Sequence, residues 1–326
     1  MGEIVTTASV RLVFAGTSSF AVPVLHALHS KFRISAVITQ PDRPAGRGHT
    51  VQLPPVKLKA MELHLPVHQP ATLKNDEAHQ LFEELAPEML VVVAYGKLLP
   101  QWLLALPRYG AVNLHGSLLP RYRGAAPIQW AMANGDLETG VCTMKLDQGL
   151  DTGPVYACIK TTIGPDESVQ QLSERLSTLG CDLIRRTIEG IVDGSLQATA
   201  QDSSRATLAP ILTKEDGNID WRLPARTIYN RMRAFHPWPG ARAAFRDQIC
   251  RILKARIKVG WGPDMGASPG TLVSSNGVER FLGVVCGDGI LLEVLEIQLP
   301  NRKPQTGIDF INGFRVAAGE KLGNVQ

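Results

Sequence analysis

Asn113 and His115 stand two residues apart in Ala111-Val112-Asn113-Leu114-His115, and Asp151 follows in Asp147-Gln148-Gly149-Leu150-Asp151-Thr152-Gly153, just past the apolar run Gly140–Leu146. Side chains alternate across a strand, so Asn113 and His115 project to one face. Asp151 arrives from the next strand-to-loop exit. An amide, an imidazole and a carboxylate arranged this way suit acyl transfer to an amine. When an amine attacks a formyl carbonyl, negative charge builds on oxygen, and the Asn113 amide with a His115 N–H can stabilise it in a water-poor pocket. Asp151 orients and charges His115 and, directly or through a water, moves the proton from the attacking amine to the leaving nitrogen. Asp147 takes a positional role. No Ser or Cys stands beside a base, so the amine attacks directly, without a covalent enzyme intermediate.

These groups need a rigid frame, and the pattern around them predicts one. Val10–Gly16 is a nearly continuous apolar run ending in Gly, as in a strand buried on both faces of a parallel sheet. Further strands are expected at Arg33–Thr39, Met89–Ala94, Gly110–His115, Gly140–Leu146 and Val155–Ile163. Helices are expected at Phe20–Ser30, Val56–Leu63, Asp76–Leu85, Pro127–Ala133 and Ser168–Glu189. Alternating strands and helices indicate an open, mostly parallel, Rossmann-like α/β sheet. Beyond Ser203 the texture changes: a helix at Pro224–Phe235 precedes short runs at Ala241–Phe245, Ile249–Ile257, Gly270–Ser274, Arg280–Cys286 and Ile290–Ile297. This is a smaller, mostly β unit, a barrel. The expected domains are 1–205 and 209–326. Only Gly16 of a Gly-x-Gly-x-x-Gly fingerprint follows the first strand, which disfavours a dinucleotide enzyme.

The chain has 326 residues, long enough for two domains. No segment reaches the roughly eighteen apolar residues of a membrane span, and the cytoplasm is the expected location. Cys142, Cys158, Cys181, Cys250 and Cys286 are scattered and read as buried reduced thiols, and no metal is expected. Residues 1–205 carry 18 Lys+Arg against 19 Asp+Glu, a net of −1, whereas residues 206–326 carry 16 against 11, a net of +5. From Arg222 to Lys258, Asp247 alone opposes a basic block that includes Arg222, Arg233, Arg242 and Arg246. A solvated basic face is the plain alternative, but an Arg-rich block favours a phosphate-bearing partner. Gln40–Pro55 holds four prolines and two glycines in sixteen residues and is expected to be a mobile loop. Its Arg43 and Arg47 leave the carboxyl end of a strand, where open α/β sheets bind ligands.

The stretches NLHGSLLPRYRGAAPIQWA and MKLDQGLDTGPVY resemble the signature of folate-dependent formyltransferases, as do TQPDRPAGRG, VVVAYGKLLP, Ile219–Trp221 and Arg233–Gly240, so that the likeness runs from Val10 over nearly the whole chain. The resemblance implies transfer of a formyl group from 10-formyltetrahydrofolate to the amino group of methionine esterified to initiator tRNA. It implies Asn113, His115 and Asp151 as the catalytic trio, folate contact by Ser117, Leu118, Leu119 and Pro120, a loop with Arg47 at the tRNA acceptor stem, and a basic, oligonucleotide-binding-like barrel on the tRNA. A monomer is expected. Many family members carry further basic residues after this Gly-Arg-Gly, where His49, Thr50, Val51 and Gln52 stand here, which predicts weaker or displaced loop contacts. Two rival readings are a sugar-nucleotide or other small-amine N-formyltransferase, and a non-enzymatic RNA- or folate-binding module.

Overall fold

The computed structural model describes residues 9–45, 50–260, 266–275, 280–317 and 319–325. The chain divides into two compact units. The first comprises Met1–Ile128, Glu138–Thr162 and Gln170–Pro210, and the second Gln129–Leu137, Ile163–Val169 and Ile211–Gln326.

The first unit runs β1 (Arg11–Gly16), α1 (Val22–His29), β2 (Arg33–Ile38), β3 (Arg43–Ala45), β4 (Thr50–Gln52), α2 (Pro55–Glu62), β5 (Val67–His68), α3 (Asp76–Leu85), β6 (Met89–Val93), α4 (Gln101–Ala105), β7 (Ala111–His115) and β8 (Arg123–Gly124). It continues through α5 (Pro127–Ala133), which passes into the second unit, then β9 (Glu138–Lys145), β10 (Val155–Thr162), α6 (Val169–Val192) and β11 (Leu208–Ala209). Its main sheet has the order β10-β9-β7-β6-β1-β2-β5. The strands from β7 to β5 are parallel, and β9 and β10 are added antiparallel. β6 and β7 are buried along their whole length, as their apolar runs require when both faces are covered.

One face of β7 is closed by α6. Leu172, Leu176, Ile184 and Ile188 are fully buried at helical spacing, each contributing about 1.5–3 kcal/mol of apolar burial. Gly180 permits the close approach, since a Cβ there would sit 2.5 Å from Leu114 Cδ2. A hydroxyl pair, Thr143 and Thr187 at 2.8 Å, ties the helix to β9. Leu114 therefore faces α6, and Asn113 and His115 point to the other face of the sheet.

Several short elements depart from expectation. The Gln40–Pro55 segment is not wholly irregular: β3 and β4 pair antiparallel, with Arg43 opposite Gln52. β5 and α4 also escaped the sequence pattern, because elements of two to five residues carry too little periodicity to read. The thiol expectation is corrected as well. Cys142 and Cys158 are register partners on β9 and β10 and form a disulfide, leaving Cys181, Cys250 and Cys286 free. Cys158 is exposed and Cys181 half-buried, and burial pushes the Cys250 and Cys286 thiols up to about 11 and about 12.

The second unit places α7 (Ala225–Ala234) before β12 (Ala241–Phe245), β13 (Gln248–Lys258), β14 (Leu272–Ser275), β15 (Phe281–Val285), β16 (Leu291–Gln298), β17 (Gln305–Thr306), α8 (Gly307–Phe314) and β18 (Leu322–Gly323). The antiparallel order is β14-β15-β16-β13-β12-β18, with β17 on β16. The two outer strands meet: Leu272 N–H donates to Glu320 O at 2.7 Å, and Leu322 N–H donates to Gly270 O at 2.9 Å. The sheet thus curls into a barrel-like unit whose two ends meet at the Thr271–Lys321 bridge. Trp221, Phe245, Phe310, Ile252, Leu292 and Val294 fill its core. Among the described residues, no helix is long and apolar enough to cross a membrane.

Candidate active site

β7 ends at His115, and the chain turns at once into the loop 116–124. Gly116 allows that turn, because a Cβ there would meet Ile128 Cγ1 at 3.0 Å. The loop is bonded to itself and to the returning segment 199–209. Ser117 Oγ donates to Arg121 O at 2.6 Å, and Tyr122 N–H donates to Thr207 Oγ1 at 2.8 Å. Leu119–Pro120 is a cis peptide. β8 pairs with β11 in parallel, and Gly124, at φ +128°, has no room for a Cβ beside Ala209 O.

Both ring nitrogens of His115 have assigned surroundings. Nε2 lies 2.8 Å from Tyr122 O. A carbonyl only accepts, so Nε2 carries the hydrogen and donates it. Nδ1 is left outside that bond, and it faces Asp151 Oδ2 at 3.6 Å. The same Oδ2 accepts Gly124 N–H at 2.8 Å, which fixes the carboxylate. Oδ1 of Asp151 has no hydrogen-bond partner among the described residues, although the side chain is only 13% exposed. The Asn113 side chain, 8% exposed, likewise makes no hydrogen bond among the described residues. Buried polar groups are normally paired, so the spare groups of Asn113, two residues from His115 on one strand, and of Asp151, facing its Nδ1, are candidates for ligand contact.

The loop carrying Asp151 is built around Asp147. Asp147 Oδ1 accepts Gly149 N–H at 3.0 Å and the Thr152 hydroxyl at 2.8 Å, so it caps its own loop. Asp151 is held at φ +52°, a left-handed conformation that Asp tolerates better than most residues. Sequence reasoning missed Arg123, Gln201 and Thr207, which brace these loops; Arg123 lies inside the Arg-Tyr-Arg-Gly run, but Gln201 sits in a stretch with no periodicity to flag it.

The remaining predicted positions separate. Ser117 is fully buried and spent on its own turn, while Leu118, Leu119 and Pro120 stay partly exposed. Arg43 is exposed, and its guanidinium donates to Gln40 Oε1 at 3.0 Å. Next to it, hydrogen bonds from Gln69 and then Lys57 hold the Asp42 carboxyl below its usual range. Arg47 and His49 lie outside the described residues. In the barrel unit, Arg222 is exposed and forks onto Asp220 through Nε and Nη2, both at 2.8 Å. Arg246 pairs with Glu320 at 2.7 Å. Arg233 donates to Gly164 O and Glu167 O at 2.6 and 2.8 Å, and Arg242 is 9% exposed with Nη1 on Lys214 O. These last two guanidinium groups serve backbone carbonyls inside their own unit rather than an outer face.

Comparison with known proteins bears on the whole chain. Residues 10–188 match the family described as formyl transferase, and residues 211–315 its C-terminal domain. A methionyl-tRNA formyltransferase of Solibacter usitatus is 45% identical over 314 residues, spanning 96% of this chain and 98% of the relative. That of Trichlorobacter lovleyi is 42% identical, covering 96% of each. The fold is shared with an N-formyltransferase from Helicobacter canadensis solved with folinic acid and dTDP-3-aminofucose, at a TM-score of 0.63 and 18% identity over 87% of this chain and 98% of that one. The chain belongs to the formyl transferase family, among relatives that are methionyl-tRNA formyltransferases.

Proposed function

We propose that the chain transfers the formyl group of 10-formyltetrahydrofolate to the amino group of methionine on initiator tRNA, with Asn113, His115 and Asp151 as its catalytic residues. The observation that carries this reading is the spare hydrogen-bonding capacity around His115, namely the Asn113 amide and Asp151 Oδ1. The amine nitrogen attacks the formyl carbon and forms the new C–N bond, and the carbonyl electrons move onto oxygen. Asn113 Nδ2–H donates to that oxygen, and His115, when doubly protonated, offers Nδ1–H on the same side. Asp151 Oδ1 takes the proton released by the attacking nitrogen. As the oxyanion electrons re-form the carbonyl and the bond from carbon to N10 breaks, Asp151 passes that proton, directly or through a water, to N10, which leaves as the tetrahydrofolate amine. The partly exposed Leu118–Pro120 segment supplies an apolar wall for the flat pteridine, and Ser117 shapes the turn beneath it.

Relatives above 40% identity across both units favour a tRNA-borne amine over a sugar amine. The exposed basic residues of the barrel are the candidates for phosphate contact, Lys254 ahead of Arg222 and Arg246, which already hold Asp220 and Glu320. Radiolabelled formyl incorporation into charged initiator tRNA and charged elongator tRNA, with wild type and Asn113→Ala, tests the reading. Wild type is expected to prefer the initiator, and the variant to be slower by roughly 10²–10³-fold. Near-normal turnover in Asn113→Ala would refute the oxyanion role, and formylation of small amines alone would refute the tRNA substrate.

A further inference from the structure

Asp151 is presented to His115 by a loop in a left-handed conformation, and something outside that loop must hold it. The segment after α6 does so. Thr199 pairs with Val155 in an antiparallel bridge, and two residues later the Gln201 side chain spans three partners. Its Nε2 donates to Asp151 O at 2.9 Å and to Gly153 O at 2.7 Å. Its Oε1 accepts from Arg123 Nε at 3.1 Å and Nη2 at 2.9 Å. Arg123 Nη2 also reaches Ser203 Oγ at 3.3 Å.

Arg123 is only 7% exposed, and among the described residues its guanidinium is held by neutral oxygens rather than a carboxylate. A buried guanidinium held by an amide is a poor device for stability alone, because its desolvation is not offset by an opposite charge. Its position gives it another use. The next residue, Gly124, donates its N–H to Asp151 Oδ2, and the preceding one, Tyr122, accepts from His115 Nε2. One side-chain amide therefore ties the backbone of the Asp151 loop to the strand that fixes both His115 and the Asp151 carboxylate.

We propose that Gln201, anchored by Arg123, is a positioning residue that holds Asp151 in register with His115. This rests on Asp151 acting in formyl transfer, as proposed above. Gln201→Glu separates the two halves of the device. It keeps an acceptor for Arg123 but replaces the donor to the Asp151 and Gly153 carbonyls with a repelling oxygen. In full-length enzyme, Gln201→Glu is expected to lower kcat by roughly 10–10²-fold, since displacement of about 1 Å costs that much. KM for folate and for tRNA should stay within about twofold, and thermal stability should hold. Gln201→Ala should lose kcat and melt earlier, having stranded Arg123.

The deciding measurement is Gln201→Glu placed in an Asp151→Asn background. If Gln201 acts through Asp151, the double variant is no slower than Asp151→Asn alone. Full multiplicative loss in the double variant, or a lowered melting temperature with unchanged kcat in both Gln201 variants, overturns the proposal. A near-wild-type rate in Asp151→Asn itself would overturn the catalytic reading beneath it, and that result is visible without any Gln201 variant.

Discussion

The loops at the end of β7 and the barrel of the second unit use polar side chains in opposite ways. Around His115 nearly every neighbour is committed to a hydrogen bond, yet the Asn113 amide and Asp151 Oδ1 are left over. In the barrel the arginines are largely consumed: Arg222 by Asp220, Arg246 by Glu320, Arg233 and Arg242 by backbone carbonyls. Chemistry is thus located by what the surroundings leave unpaired, whereas a cluster of charge locates nothing until its partners are known. Under the proposed reading, phosphate contact in the barrel falls to residues such as Lys254, which is exposed and has no ion pair among the described residues.

If that contrast is right, substitutions in the two regions must be read by different instruments. The largest effect is expected from Asp151→Asn, which keeps an acceptor for Gly124 N–H but removes the base; single-turnover formyl transfer should slow by roughly 10²–10⁴-fold with the melting temperature little changed. In the barrel, Trp221→Ala should act on stability instead. The ring is 2% exposed, and its Nε1 has no hydrogen-bond partner among the described residues, so about 3–5 kcal/mol of packing goes and appears in denaturant unfolding. A Trp221 variant with full stability would break the comparison from the barrel side.

Gly124→Ala probes the seam between rate and stability. Its φ of +128° and the Ala209 carbonyl 2.5 Å from any Cβ predict a loss of about 1–3 kcal/mol, together with a slower reaction because the Gly124 N–H holds Asp151. Lys254→Ala should leave chemistry alone and reduce the salt dependence of tRNA binding by a slope of about 1, and an unchanged slope would remove Lys254 from the phosphate surface. The smallest effect concerns Cys250 and Cys286. With thiols pushed up to about 11 and about 12 by burial, they should resist alkylation of the native protein at pH 8 while half-buried Cys181 reacts first.

That Asn113 and His115 share a face was legible in the sequence because β7 is a short apolar run whose only polar members lie two apart, and strand geometry puts such residues on one face whatever the rest of the fold does. The braces were not. β8 and β11 are two residues each, below any readable period, and Gln201 acts through a contact 50 positions away from Asp151. The Cys142–Cys158 pair was hidden for a related reason: spacing of 16 residues does not reveal register across β9 and β10. The basic block was visible as composition, but which of its guanidinium groups are engaged by Asp220, Glu320 and carbonyl oxygens depends on packing that a count of charges ignores.

The junction of Gly270 and Leu272 with Glu320 and Leu322 sets a lower bound on any shortened form of this protein. A chain stopped at Arg315, where the match to the C-terminal domain ends, would lack β18 and take away the partner of β12 at Ala244 and Phe245 and the bonds that Gly270 and Leu272 make to Leu322 and Glu320. Such open strands recruit one another between molecules. Trimming a few residues from this tail would therefore be felt first as clumping during expression, well before any assay of turnover.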